Sequence, residues 1–244
     1  MKEWFREWFN SKEYLNVYRH RNDDDAEKLL NLILKEIYLT KHSCILDAAC
    51  GAGRHSIFLS SKGFNVSGFD LSKTLLIQAK KDASEKNIKL NLFCADIRKV
   101  YFKRRFDLVL NLFTSFGYFE TDEENFSFAE NIIDSMNIGA VYVFDYLNKE
   151  FLLNNLVHES IRNIGDRQII EKRSFQGERV IKEIEIRNGG KKNSYFESVY
   201  LYDEAFIIDR FEKIGYKTGK IFGDYEGHSF DRAISPRLII FFSK

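Results

Sequence analysis

Ile45-Leu46-Asp47-Ala48-Ala49-Cys50-Gly51-Ala52-Gly53-Arg54-His55 reads as a strand, a glycine-rich turn and the start of a helix. Gly51 and Gly53 let the backbone of that turn, with Ala49 at its start, come close to a ligand. Many nucleotide folds share a Gly-x-Gly turn, so the neighbouring residues decide what it holds. Asp47 would be repelled by a pyrophosphate, and Ser56 stands where a dinucleotide fingerprint carries Gly or Ala. An acid at this strand end attracts a cationic ligand instead. Asp70 closes the next apolar run, seventeen residues past Gly53. There a carboxylate can accept hydrogen bonds from both hydroxyls of a ribose, or it can cap the following helix, a task open to Ser72 as well. Asp96 closes a third run, Cys94-Ala95-Asp96-Ile97, placed either to accept from an adenine amino group or to cap a turn. Three acids at three consecutive strand ends exceed what capping needs and point to one site for a positively charged nucleoside.

These strand ends need a scaffold. Short apolar runs at 44–48, 65–69, 89–94 and 106–110 alternate with helical patterns at 56–62 and 72–86, and a helix at 122–136 and a strand at 140–144 continue the rhythm. Such alternation builds a parallel sheet that binds ligands beyond its strand C-termini. After Asp145 the pattern changes to three antiparallel strands, 168–175, 178–187 and 195–202, with turns at Gln176-Gly177 and Asn188-Gly189-Gly190. A helix at 203–214, ended by Gly215, and strands at 216–222 and 237–242 return to the sheet as a hairpin at one edge. The expected fold class is α/β: a doubly wound, seven-stranded mixed sheet with an antiparallel β insertion. Residues 1–21, rich in Trp, Phe and Tyr, form a flap, and Asn22 to Asp25 cap a helix whose apolar face is Leu29, Leu30, Ile33, Leu34 and Ile37. The expected division is flap and helix 1–40, ligand-binding core 41–150, insertion 151–202 as a lid, and completion of the sheet 203–244.

Composition excludes several classes. Lys and Arg number 37 against 36 Asp and Glu, so no overall basic field calls for nucleic acid or an anionic membrane. Cys44, Cys50 and Cys94 form no CxxC pair and no metal-ligand cluster, and their odd number suits a reducing compartment. No apolar run has membrane-spanning length, and Glu3, Arg6 and Glu7 stand where a signal peptide is apolar. The expectation is a cytoplasmic monomer or homodimer without metal.

Several blocks together resemble class I S-adenosylmethionine (SAM)-dependent methyltransferases, from about Tyr14 to the C-terminus. They are Tyr14-Leu15 to Tyr18-Arg19-His20-Arg21, Asp47 to His55, Gly68-Phe69-Asp70-Leu71-Ser72, and Phe113-Thr114-Ser115-Phe116-Gly117-Tyr118-Phe119. Gly223-Asp224-Tyr225-Glu226-Gly227 and Ser235-Pro236-Arg237-Leu238 complete the set, which is similar to one bacterial and archaeal subfamily of small methyltransferases. SAM has no phosphate and is cationic, in keeping with Asp47. The resemblance implies that the Asp47 to Gly53 loop holds the methionine part of SAM, Asp70 with Leu71 the ribose, and Asp96 with Ile97 the adenine. It also implies that Asn111 to Phe113 form the wall near the methyl group. The turn before the fifth strand departs from the usual Pro-Gly-Gly and reads Asn137-Ile138-Gly139.

Methyl transfer from a sulfonium is an in-line displacement, so alignment and water exclusion supply most of the catalysis. A general base is needed only for an acceptor protonated at neutral pH; His20 and His228 are the candidates by side-chain type, and both also fit ordinary polar roles. Arg21 can pair with the SAM carboxylate or with a surface acid. Tyr14, Tyr18, Phe113, Phe116 and Tyr118 can form an aromatic cage around a cation, or pack flap and core. Tyr14, Ser115, Tyr118 and Tyr225 are the candidate acceptor contacts. Asn111-Leu112-Phe113-Thr114 lacks the Asn/Asp-Pro-Pro-Tyr/Phe signature of amino-methylating nucleic-acid enzymes. The expected function is methyl transfer to an oxygen, nitrogen or carbon of a small molecule. Methylation of nucleic acid or protein, SAM binding without turnover, and a nicotinamide-dependent oxidoreductase are the rivals.

Overall fold

A computed structural model describes residues 3–18, 23–103 and 105–244. The flap begins with two short helices, α1 (Trp4–Asn10) and α2 (Lys12–Tyr18), followed by α3 (Asp23–Glu36), which buries Leu29, Leu30 and Ile33. The core then runs β1 (Cys44–Ala48), α4 (Arg54–Ser61), β2 (Asn65–Asp70), α5 (Lys73–Glu85), β3 (Asn91–Cys94), β4 (Phe106–Asn111), α6 (Asp122–Ile132) and β5 (Met136–Leu147). α5 starts where the Ser72 hydroxyl accepts from the Leu75 N–H (3.2 Å). α6 starts where Thr121 does the same for Glu124, with Asp122, Glu123 and Glu124 complementing the helix dipole in its first turn. After β5 come α7 (Lys149–Asn155), the strands β6 (Glu159–Ile164), β7 (Arg167–Gln176), β8 (Arg179–Asn188) and β9 (Lys191–Tyr200), then α8 (Glu204–Ile214), β10 (Lys217–Phe222) and β11 (Arg237–Ser243).

The main sheet has seven strands in the order β10-β11-β5-β4-β1-β2-β3, and β11 alone runs against the direction of the other six. The fold is therefore the expected α/β mixed sheet, with β10 and β11 paired as the expected hairpin at one edge, β10 outermost and β11 against β5. From β1 the chain moves outward through β2 and β3, then crosses back to β4 on the other side of β1. That reversal opens a crevice at the C-terminal ends of β1 and β4, the place where such sheets bind ligands.

Two elements differ from expectation. Asn137-Ile138-Gly139 is not a turn before the fifth strand but part of β5, which starts at Met136. The register with β4 slips between Phe106↔Met136 and Leu108↔Val141, so the extra residues bulge outward, with Gly139 at φ 78° and Ile138 fully in solvent. The insertion forms a separate sheet of four antiparallel strands, not three, because β6 adds an edge. Strand β6 pairs on one side only and its Ile161 is exposed, so it lacks the apolar alternation by which a half-buried strand is read. Ile169, Ile184 and Ile186 of this sheet close over Trp4, Phe5, Trp8 and Val17, which seats the flap between insertion and core. None of the described helices is long and apolar enough to cross a membrane.

Candidate cofactor and acceptor site

The crevice widens into a cavity of about 1050 Å³, large enough for a nucleoside-sized ligand with a small second molecule. Ala49 and Gly51 of the turn, Asp70, Leu71, Asp96 and Ile97 line it together with Tyr14, Tyr18, Phe113, Ser115 and Tyr118. The structure thus brings most of the sequence-derived candidates to one cavity. Gly51 has φ 56° and a Cβ there would only graze Leu75, so its role is the turn itself. Gly53 does not line the cavity: a Cβ would stand 2.8 Å from that of Ala79, so this glycine lets α4 and α5 pack together.

Each acid is held differently. Asp70 accepts from the Gly51 N–H (2.8 Å) through Oδ2 and from the Ser72 N–H (2.7 Å) through Oδ1. It therefore fixes the glycine turn as well as facing the cavity, while burial raises its pKa against those two backbone bonds. Asp47 lies beneath the turn, 1% exposed, accepting from the Ser56 hydroxyl at 2.6 Å. Burial pushes its carboxyl up to about 7, opposed in part by that hydrogen bond. Asp96 is shifted the other way: burial would raise its pKa, but Arg98, followed by Arg6 of α1, holds it below the usual range. Arg98 also reaches Glu3 (2.6 Å) and Glu124 (2.7 Å), tying the flap to the third strand end and to α6.

On the other side, Phe113 and Thr114 both take left-handed backbone, φ 54° and 64°. Asp145, wholly buried at the end of β5, holds them there: its carboxylate accepts from the Phe113 N–H (2.8 Å) and its carbonyl from the Thr114 N–H (3.1 Å). The same carboxylate takes the Arg237 guanidinium (2.7 Å) and the Tyr225 hydroxyl (3.2 Å). Arg54 lies over the Phe113 ring at 4.1 Å, and Tyr225 stacks on that ring at 5.4 Å. Tyr225 therefore backs the Phe113 wall instead of touching the cavity, a correction to its assignment as an acceptor contact. Asn111 is also absent from the wall: it is buried at the end of β4, beneath the cavity lining. Phe116 is core, packed edge-on to Phe126, Phe144 and Tyr146.

His228 does not line the cavity; it is exposed on the loop before β11, with Nδ1 2.6 Å from Asp224. His20 and Arg21 lie outside the described residues. Sequence reasoning assigned no role to His55, Asp145 or Arg237. His55 directly follows the glycine turn, and Arg237 stands in one of the resemblance blocks, so position was the available signal. Tyr18 bonds Glu197 and Lys182 of the insertion, and Trp8 Nε1 donates to Glu197 at 2.8 Å, which anchors the aromatic roof. Among the described residues no cluster of three or more His, Cys, Asp or Glu is arranged to hold a metal.

Residues 45–134 match the model of a methyltransferase domain. The glycine/sarcosine N-methyltransferase of Aphanothece halophytica is 30% identical over 112 residues, 45% of this chain and 42% of that protein. A dTDP-3-amino-3,4,6-trideoxy-alpha-D-glucopyranose N,N-dimethyltransferase of Streptomyces venezuelae is 29% identical over 103 residues, 42% of each chain. The chain spans less than half the length of these relatives. A SAM-dependent methyltransferase of Clostridium acetobutylicum shares the fold at TM-score 0.83 over 95% of this chain and 97% of its own, with 20% identity.

Proposed function

We propose that this chain, which carries a class I SAM-dependent methyltransferase domain, is an enzyme that moves a methyl group from SAM to a small-molecule acceptor. One observation carries the reading: the glycine turn, Asp70 and Asp96 line the same cavity as Tyr14, Tyr18, Phe113 and Tyr118, so donor and acceptor can meet without leaving shelter. SAM brings the electrophilic methyl on its sulfonium. The chain's own part is to bind, align and exclude water. Ala49 and Gly51 receive the methionine end, Asp70 the ribose, and Asp96 with Ile97 the adenine. Their fit to a cationic nucleoside is supported by Asp96, whose carboxyl Arg98 and Arg6 keep below the usual range, and by the aromatic rings that line the same cavity. Ser115, Tyr14 and Tyr118 face the acceptor, and Tyr18 the cofactor. The named relatives, which act on glycine or sarcosine and on an amino sugar, support an amine nitrogen as the methylated atom. A near-balance of 37 basic and 36 acidic residues supports a small molecule over nucleic acid, and the three cysteines without a CxxC pair support a reducing, cytoplasmic location.

Calorimetric titration with S-adenosylhomocysteine, with NADH in parallel, tests the assignment. Binding of S-adenosylhomocysteine alone is the expected result; binding of NADH, or of neither, would refute it.

A further inference from the structure

The near-balance of charge in the whole chain conceals an uneven distribution. At the end of the main sheet opposite the cavity, the segments that lead into β1, β2, β3 and β4, with the first residue of β10, carry the exposed Lys41, Lys62, Lys89, Lys103 and Lys217. Strand register sets these segments side by side: Cys44 pairs with Asn65, Ser67 with Asn91, Phe106 with Met136, and Lys217 with Ser243. Across seven strands spaced about 4.8 Å apart, the row is about 29 Å long. The acids beside it are engaged or few. Asp107 accepts from the Cys44 N–H and from the Asn137 amide, both at 2.7 Å, and Glu85 lies 4.0 Å from Lys81, which leaves the exposed Asp134. Asp70, Asp96 and Asp145 stand at the other end of the strands. The basic end also presents apolar side chains, Ile138 at 97% exposure and Tyr38 at 92%. The bulge that carries Ile138 is tied down on both flanks: Arg105 and Lys244 donate to the Met136 carbonyl (3.3 and 3.0 Å), and the Gly139 N–H donates to the Lys244 carbonyl (3.3 Å). Fixing an isoleucine in water gives the lone molecule no burial.

We propose that this end of the sheet docks on an anionic lipid surface, with the lysine row over the headgroups and Ile138 and Tyr38 at the boundary with the acyl chains. Charge complementarity supplies the long-range attraction and the apolar tips the contact. Two features favour a bilayer over nucleic acid. The row consists of lysines, which act on a charged surface as point charges, whereas the forked guanidinium of Arg105 is turned to the backbone carbonyls of Asp134 and Met136. An aliphatic tip, moreover, gains from an acyl boundary and nothing from a phosphate backbone. Docking by this end points the cavity away from the surface, so ligand exchange stays open to solution. The proposal does not depend on the methyltransferase reading.

The test is co-sedimentation of the full chain with vesicles of phosphatidylcholine alone and of phosphatidylcholine mixed with phosphatidylglycerol, at low and high salt, with a single-stranded RNA oligonucleotide titrated in parallel. The parent should sediment with the anionic vesicles only, and high salt should release it. Lys89→Glu combined with Lys103→Glu should weaken that binding at least about twenty-fivefold, about fivefold for the surface attraction of each lysine. Lys172→Glu combined with Lys191→Glu, the same change of net charge on exposed lysines of the insertion, should bind as the parent does. Ile138→Ser, which leaves the charge alone, should bind anionic vesicles about three- to tenfold more weakly. All variants should keep the parent's melting temperature. A parent that stays in solution with anionic vesicles, or sediments equally with neutral ones, overturns the proposal. So does an equal loss in the two charge-reversed pairs, or RNA binding tighter than vesicle binding and lost in Lys89→Glu with Lys103→Glu, which would make nucleic acid the partner.

Discussion

At the scale of single residues, Asp47 sets a conflict between stability and binding. Its carboxyl is displaced by burial from 3.8 to about 7 in the folded, ligand-free protein. An acid whose folded-state pKa is raised is protonated in the fold and ionised in the unfolded chain. It therefore lowers stability progressively as pH rises from about 4, reaching on the order of 4 kcal/mol near pH 7 and staying level above it. Asp47→Asn should consequently melt higher than the parent by a margin that widens from about pH 5 to about pH 7 and then holds constant, while its affinity for SAM falls. A margin independent of pH in thermal melts would refute the buried titration. Asp47, Asp70 and Asp96 were legible in sequence because acids at successive strand ends form a pattern along the chain. The second duty of Asp70, bonding the Gly51 N–H, was not, since it depends on how the turn folds back over the next strand.

At the scale of elements, the loop after β4 depends on strands far away in sequence. Phe113 and Thr114 hold a backbone conformation that costs of order 1–3 kcal/mol each for residues with a side chain, and Asp145 on β5 and Arg237 on β11 hold them there. Arg237→Ala leaves the Asp145 carboxylate buried without its counter-charge. The expected loss in urea unfolding is roughly 3–5 kcal/mol, and adding Asp145→Ala should recover part of it. Purely additive losses would show that the pair is not coupled. The strands β1 and β4 were readable because burial on both faces gives them short, nearly unbroken apolar stretches, Cys44 to Leu46 and Leu108 to Leu110. Strand β6, paired on one side, and the bulge at Asn137 to Ala140 were not, because partner strands decide both.

At the scale of the whole molecule, three layers meet at the cavity: core sheet, flap and insertion. The flap was legible as a dense set of aromatics, yet its target was hidden, because the insertion residues that receive it lie about 180 positions later. Trp8, 1% exposed, packs on Tyr195 at 4.4 Å and bonds Glu197. Trp8→Ala should release α1 and α2 without unfolding the sheet. Limited proteolysis should then cut within residues 3–18 at least tenfold faster, an estimate of about 1.4 kcal/mol or more of lost local stability, while the calorimetric transition of the core moves little. Loss of the core transition instead would mean that flap and sheet unfold as one unit.

The place of β11 between β10 and β5 has a consequence for the time course of synthesis. Asp145 emerges 92 residues before the arginine that neutralises it, an interval of roughly 5–20 s at ribosomal speeds of about 5–20 residues per second. Until then β5 lacks the strand it pairs with on that side in the finished sheet, and Asp145 lacks its counter-charge, so this half of the sheet is completed only after the insertion and α8 have been made.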